Sequence, residues 1–267
     1  MKYLTLLLSV LNILVSTHLC HGQLEIRLIA HRGGVVDSTC TENGLPALQK
    51  AAEKGYAMVE IDMRRSKDGV LLANHDSDFS RYYGFPGKVT ETSWKEIRKL
   101  RSNTDGNVPL KLEDIFRFCR SKGMNVMIDN KIEGLDTNLF NQLIALLDKY
   151  GLRDDALMIG TEGSTEFFTG KIKLSCTKKQ LLDNKTRADY KSGHYFLFDR
   201  PADITKEDVL WAHRENILVV AAINKYHYKG QPDMYEHAEA DCLKMQRYGV
   251  RYFQIDSEFG QFLSNAH

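Results

Sequence analysis

Long apolar runs are scarce in this chain of 267 residues, and beyond the first 22 none could cross a bilayer, which excludes a permanent membrane span from the body of the chain. Charge of one sign is lacking as well. The 36 Lys and Arg balance 35 Asp and Glu to a formal +1, and no charged tail stands out, which argues against nucleic acid or a strongly acidic partner. Cysteine is sparse and never occurs as C-x-x-C, so spacing assigns no disulfide. There is no internal repeat or low-complexity tract, which excludes a repeat array.

What the chain does have begins with Lys2 and an apolar run from Tyr3 to Val15. One leading positive charge and so short a run predict a secretory signal peptide over residues 1–22. Cleavage is expected after Gly22, since Cys20 and Gly22 are small where a cut requires small residues. A lipid anchor at Cys20 is disfavoured by the bulk of Leu19 before it. The expectation is export, to a periplasm or outside the cell. Lys2 is the only charged residue in this segment, so the mature chain is formally neutral. It keeps Cys40, Cys119, Cys176 and Cys242, and Cys119, on an apolar helical face, is expected to be a packed thiol. Its length of about 245 residues fits one barrel-sized domain, 23–267, better than two ordinary ones.

Short apolar runs alternate with helical patterns along that domain. Strands are expected at 26–31, 57–62, 125–131, 155–160, 173–177, 195–199, 217–223 and 252–256, and helices include 42–55, one marked by Leu112 to Cys119, one marked by Leu139 to Leu147, 204–215 and 234–248. Thr205 and Asp208 read as a capping pair. The strand at 173–177 has little room for a full helix before it. Residues 63–107 form a long excursion after the second strand, read as a functional loop region with a hairpin that carries His75 back over the site. Eight strands separated by helices predict an α/β fold, a (β/α)₈ TIM barrel with a long insertion after the second strand. In that fold function gathers at the strand C-terminal ends, where His31, Asp62 and Lys131 fall.

The chemistry concentrates between Ile29 and Asp76. The run Ile29-Ala30-His31-Arg32-Gly33-Gly34 reads as a buried strand opening into a tight turn. In Val59-Glu60-Ile61-Asp62, strand alternation sends both carboxylates to one face and both aliphatic residues to the other. Carboxylates so close require a cation or protons between them, and hard oxygen donors suit Mg²⁺ or Ca²⁺ better than zinc. Met127, Asp129 and Lys131 likewise share one face of the third strand.

The order H-R-G at His31, Thr41-Glu42-Asn43, E-x-D at Glu60 and His75-Asp76 resembles the glycerophosphodiester phosphodiesterase family of the phospholipase C-like TIM-barrel superfamily. Val108 to Glu113 is similar to that family's I-P-x-L-E-E segment, and Asp129-Asn130-Lys131 sits where it has E-x-K. The resemblance implies metal-dependent hydrolysis of a small-molecule glycerophosphodiester to glycerol 3-phosphate and an alcohol. Glu60, Asp62 and Asp129 would then hold one divalent cation, Mg²⁺ or Ca²⁺, and Arg32 and Lys131 would bind phosphate oxygens. His31 would accept a proton and His75 donate one, with Glu42 orienting His31 or Arg32. No protein partner is implied. His194, His213, His227 and His237 read as surface or packed residues, Asn224 as a polar residue at the seventh strand's end, and Phe253 as core.

The chain departs from the family pattern at Thr41 for proline, Gly44 for threonine, Asp129 for glutamate and Ile223 for tryptophan, and by lacking proline after Ile255-Asp256-Ser257. Asp129 with Lys131 is also similar to the sphingomyelinase D branch, where the substrate's own hydroxyl attacks and a cyclic phosphate forms. A third alternative is a binding module for phosphorylated or polyol ligands that has lost the chemistry. All the required histidines and carboxylates being present weighs against it.

Overall fold

A computed structural model describes residues 25–263, and the expected signal peptide with Cys20 and its cleavage point lies outside them. The chain opens with β1 (Arg27–Ala30), a one-turn bend at His31–Gly33, α1 (Leu45–Glu53) and β2 (Met58–Arg65). An insertion follows through β3 (Leu71–Ala73), β4 (Asp78–Phe79), α2 (Ser80–Tyr83), β5 (Phe85–Lys88) and α3 (Trp94–Ile97). Regular alternation resumes with α4 (Leu112–Ser121), β6 (Asn125–Asn130), α5 (Thr137–Lys149), β7 (Leu157–Ile159), α6 (Glu162–Phe168) and β8 (Lys173–Cys176). It continues through α7 (Lys178–Asn184), β9 (Tyr195–Asp199), α8 (Lys206–Arg214), β10 (Leu218–Ile223), α9 (Met234–Tyr248) and β11 (Tyr252–Ile255).

β1, β2 and β6 to β11 pair in parallel, and because β1 pairs with both β11 and β2 the sheet closes into an eight-stranded barrel. This is the expected (β/α)₈ architecture. No helix among the described residues is long and apolar enough to cross a membrane.

Strand alternation builds two apolar layers. Ile29, Met58, Met127, Leu157, Phe196 and Val220 plug the barrel interior. Their neighbours one residue along, such as Val59, Ile128 and Leu197, face outward and bury against helix stripes that include Ile115, Phe116, Phe140 and Leu143. Phe253 is fully buried in that outer layer, as core. Stepping two residues from the plug towards the strand C-termini reaches Glu60 from Met58, Asp129 from Met127 and Gln254 from Tyr252. The same period of two therefore lifts polar side chains into one end of the barrel.

Several boundaries differ from expectation. The first helix starts at Leu45, not at residue 42, because Thr41–Gly44 form a turn with Asn43 at φ 56° and the Gly44 N–H donating to Thr41 O. β2 continues past Asp62 to Arg65, where Met63, Arg64 and Arg65 pair antiparallel with β3, so Asp62 marks the rim of the parallel barrel and not a strand end. The excursion is more ordered than a loop region: Leu72, Phe79, Val89 and Ile97 form a small core of their own, with Tyr83, Phe85 and Trp94 packed on it. A seven-residue helix, α6, does fit before β8. Thr205 caps α8 reciprocally with Asp208, as expected. Among the described residues the four cysteines, Cys40, Cys119, Cys176 and Cys242, are buried and free, and burial pushes the Cys119 thiol up to about 12.

The bend after β1 depends on Gly34, whose φ is +143° and where an added Cβ would meet Ala47 O at 2.2 Å. Gly55, with φ +72°, has nothing within 4 Å of that position. Gly55→Ala is expected to cost about 1–2 kcal/mol, the left-handed backbone penalty alone. Gly34→Ala should cost clearly more, because backbone must move. Urea unfolding of the two variants checks the order.

Candidate active site

At the C-terminal end of the barrel, one carboxylate oxygen each from Glu60, Asp62 and Asp129 lies within 4.8 Å of the others. Glu60 and Asp62 are each 1% exposed. The register explains the meeting, since Asp62 stands directly opposite Asp129 on the paired strand. Lys131 Nζ contacts Asp129 and lies 3.5 Å from Asp62 Oδ1. It is the nearest side-chain cation to a cluster of three acids, which leaves an excess of negative charge.

The bend after β1 supplies the next groups. Arg32 adopts φ 56°, and its backbone N–H donates to Glu60 Oε2 at 2.7 Å. His31 Nδ1 donates to Asp256 Oδ1 at 2.6 Å, and its Nε2 stands 4.0 Å from Glu60 Oε2. The ring therefore turns one nitrogen to a fixed carboxylate and the other to the acidic cluster. The Arg32 guanidinium turns away from that cluster to Glu42 Oε2 at 2.9 Å.

Three consecutive buried residues, Thr41, Glu42 and Asn43, tie the parts together. Asn43 Nδ2 donates to Asp62 Oδ2 at 3.1 Å. Glu42 accepts from Arg32, Arg81 and Tyr82, so it orients Arg32, not His31. Thr41 binds the far end of the insertion, its N–H donating to Asp105 Oδ2 at 2.8 Å. The near end of the insertion brings in His75, whose Nδ1 donates to Asp76 Oδ1 at 2.8 Å.

Two cavities of about 270 and 280 Å³ open beside the cluster and share His31 and Asn224. The first is lined by Arg32, Glu42, Arg81, Lys225, Tyr226 and Asp256 among others. The second has Asp129, Phe198, Arg200 and His227 on its walls. His75 lines neither, but a shallower depression with Arg64, Asp76 and Arg81.

Residues 31–251 match the glycerophosphoryl diester phosphodiesterase family. The chain belongs to this family. Curated relatives include a probable glycerophosphodiester phosphodiesterase 2 of Mycobacterium tuberculosis, 30% identical over 38% of this chain and 37% of that protein. Another is glycerophosphodiester phosphodiesterase 1 of Bos taurus, 39% identical over 28% of this chain and 22% of the relative. The chain thus spans well under two thirds of the length of these relatives. Among solved structures, a glycerophosphoryl diester phosphodiesterase from Parabacteroides distasonis superposes with a TM-score of 0.72 at 19% identity, covering 90% of this chain and 86% of that one. An Oleispira antarctica phosphodiesterase in complex with the product sn-glycerol-3-phosphate gives 0.68 at 19% identity, covering 90% and 97%. At such identities these likenesses establish the barrel fold.

In this family member the predicted acids Glu60, Asp62 and Asp129 come together, with Lys131 and His31 against them, while the Arg32 side chain and His75 stand further out. Sequence reasoning missed three groups. Asp256, which fixes His31, follows Tyr252 and Gln254 at the inward period of two, and that alternation was the signal. Arg81, joined to both Glu42 and Asp76, had no signal, because its partners are far apart in sequence. His227, read as surface or packed, lines the second cavity with its Nδ1 donating to Ala222 O at 3.1 Å.

Burial raises the Glu60 carboxyl well above its ordinary 4.5, and the charges of Asp62 and Asp129 add to this against the Arg32 N–H and Lys131. Burial likewise raises Asp129 despite the Lys131 ammonium. Asp256 is also pushed up by burial, but the hydrogen bond and charge of His31 prevail and hold it below the usual range. The donor set fits a hard divalent cation: all three ligands are oxygens, and the negative charge exceeds what Lys131 offsets. The buried Asn43 amide beside Asp62 also leaves its Oδ1 without a hydrogen-bond partner.

An acid raised in the folded state favours folding while protonated, and that contribution is lost as pH rises through the ordinary carboxylate value towards the raised one. Metal-free protein should therefore lose stability at Glu60 above pH 4.5 and at Asp129 above pH 3.8. Added Mg²⁺ or Ca²⁺ should raise Tm more at pH 7 than at pH 5. Glu60→Gln should stabilise the chelated protein and shrink the cation's effect. Thermal unfolding with and without chelator measures both; an equal cation shift at the two pH values would count against the site.

Proposed function

We propose that this chain hydrolyses glycerophosphodiesters to glycerol 3-phosphate and an alcohol, with one divalent cation, Mg²⁺ or Ca²⁺. The observation that carries the reading is the His31 ring, pinned by Asp256 and turned towards three convergent carboxylates. A phosphodiester is anionic and its alkoxide is a poor leaving group, so the reaction needs charge neutralisation, an activated nucleophile and a proton for the departing oxygen. A cation held by Glu60, Asp62 and Asp129 would supply Lewis-acid stabilisation of the phosphate oxygens.

The remaining steps fall to this chain's own groups. Asp256 accepts from His31 Nδ1 and so keeps Nε2 free to take a proton from the attacking water. As water oxygen bonds to phosphorus, the bond to the alcohol oxygen breaks and His75 delivers a proton to it. Asp76 holds the His75 ring from its other nitrogen. Lys131 acts as a point charge on a phosphate oxygen, and Arg32, oriented by Glu42, offers a second cation at the cavity wall. The glycerophosphodiester phosphodiesterase relatives, and the Oleispira antarctica phosphodiesterase in complex with the product sn-glycerol-3-phosphate, support the choice of substrate class.

Release of glycerol 3-phosphate from glycerophosphocholine and glycerophosphoethanolamine is expected with Mg²⁺ or Ca²⁺ and not with chelator. His31→Ala and His75→Ala should each lower kcat by about 10²–10⁴-fold. A cyclic phosphate from lysophospholipids, with no glycerol 3-phosphate from either compound, would assign the chain to intramolecular transfer. Both ligands recovered unchanged would leave only a binding role.

The same reading includes export after cleavage near Gly22, supported by the charge and apolar run at the start of the sequence. Protein recovered outside the cytoplasm should begin at Gln23; a cytoplasmic product starting at Met1 would overturn this.

A further inference from the structure

Glu42 and Asp76 belong to different parts of the chain, one in the turn before α1 and the other in the insertion beside His75. A single guanidinium joins them. Arg81 Nη1 and Nη2 reach Glu42 Oε2 and Oε1 at 3.1 and 2.5 Å. Its Nε and Nη2 reach Asp76 Oδ2 and Oδ1 at 2.7 and 2.9 Å. Both are two-point contacts, which set orientation as well as distance and which an ammonium cannot reproduce. The guanidinium also lies over the Tyr82 ring at 4.7 Å from its centroid. Asp76 in turn holds His75 Nδ1, and Glu42 holds the Arg32 guanidinium.

We infer that Arg81 is a positioning residue: it sets the His75-bearing segment of the insertion against the Arg32 side of the barrel mouth. The inference rests on the proposed role of His75 as proton donor. The insertion does not need this bridge to fold, since it has its own apolar core and a second attachment, from Thr41 to Asp105 and Ser102. What the bridge adds is placement. Arg64 of β2 already holds the His75 backbone, with Nη2 donating to His75 O at 2.8 Å, so without Arg81 the backbone at His75 stays in place while Asp76 loses its tie to Glu42 and the His75 ring loses its fixed orientation. The two bonds to Glu42 span the seam between insertion and barrel, the two to Asp76 stay within the insertion, and each end is one side chain away from a group that faces substrate.

The test uses the full chain with divalent cation and glycerophosphocholine, comparing Arg81→Met, Arg81→Lys, Asp76→Asn, the Arg81→Met/Asp76→Asn double variant and His75→Ala. Lys88→Met, which removes an exposed ion pair with Glu91 on the same insertion, is the control. Arg81→Met should lower kcat roughly 10–100-fold, the usual loss on removing an orienting partner, with KM changed far less. Lysine should recover only a small part, the double variant should be little worse than the worse single, and Lys88→Met should leave kcat unchanged. Amide exchange over 74–83 should quicken in Arg81→Met while Tm holds.

An unchanged kcat in Arg81→Met alongside inactive His75→Ala would overturn the inference and leave the function intact. So would equal losses in Arg81→Met and Lys88→Met, or fully additive losses in the double variant. If His75→Ala is fully active, or the wild type turns over nothing, the proposed function fails first. Exchange over 74–83 then decides the inference, and unaltered exchange in Arg81→Met overturns it.

Discussion

Three carboxylates converging inside the end of a barrel are the constraint on which the rest of the site depends. Glu60, Asp62 and Asp129 repel one another, and burial removes the water that would screen them. The chain sets one ammonium, Lys131, one backbone N–H, from Arg32, and one side-chain amide, from Asn43, against them. These offset only part of the charge, so the cluster could hold a metal ion. Geometry makes the arrangement possible at all. Parallel strands in register place Asp62 beside Asp129, and the apolar plug below separates this end of the barrel from the other.

The turn at Thr41-Glu42-Asn43 is where that constraint is joined to the insertion. Each residue of the turn holds a different neighbour: Thr41 the far end of the insertion, Glu42 two arginines, Asn43 a member of the acidic cluster. A helix over these positions would hold the three side chains at the fixed helical spacing. The actual turn, with Asn43 at φ 56°, splays them, and the two glycines before it allow the chain to approach α1 closely. The helix begins at Leu45 because Asn43 at φ 56° and the extended Gly44 break the helical backbone before it. The cavities follow from this junction as well. One lies towards Arg32 and Arg81, the other towards Phe198 and His227, and His31 and Asn224 stand between them.

Much of this was legible in the residues. Eight apolar runs with helices between them gave the barrel, and alternation alone put Glu60 and Asp62 on one face and Val59 and Ile61 on the other. The same alternation contained Asp256, which ends the series Tyr252, Gln254, Asp256 but escaped notice because no motif marks it. The insertion was harder. Its small core is assembled from Leu72, Phe79, Val89 and Ile97, spaced too irregularly to give a period, and so it resembled a loop. His227 was obscured for a related reason: one histidine near a strand end carries no sign of whether its loop folds over the mouth or away from it.

By itself the sequence determined the strand and helix alternation, the acidic face of β2, the strand-end histidine and the lysine two residues beyond Asp129, since each of these is a local regularity of period or motif. Only the tertiary structure decided which distant groups meet: Asp256 with His31 across the closure of the barrel, and Arg81 between Glu42 and Asp76 across the seam of the insertion. Hydrogen bonds between residues 39 and 225 positions apart leave no periodic trace. They exist because a closed sheet brings its last strand beside its first, and because a buried carboxylate must find its donors wherever the fold supplies them.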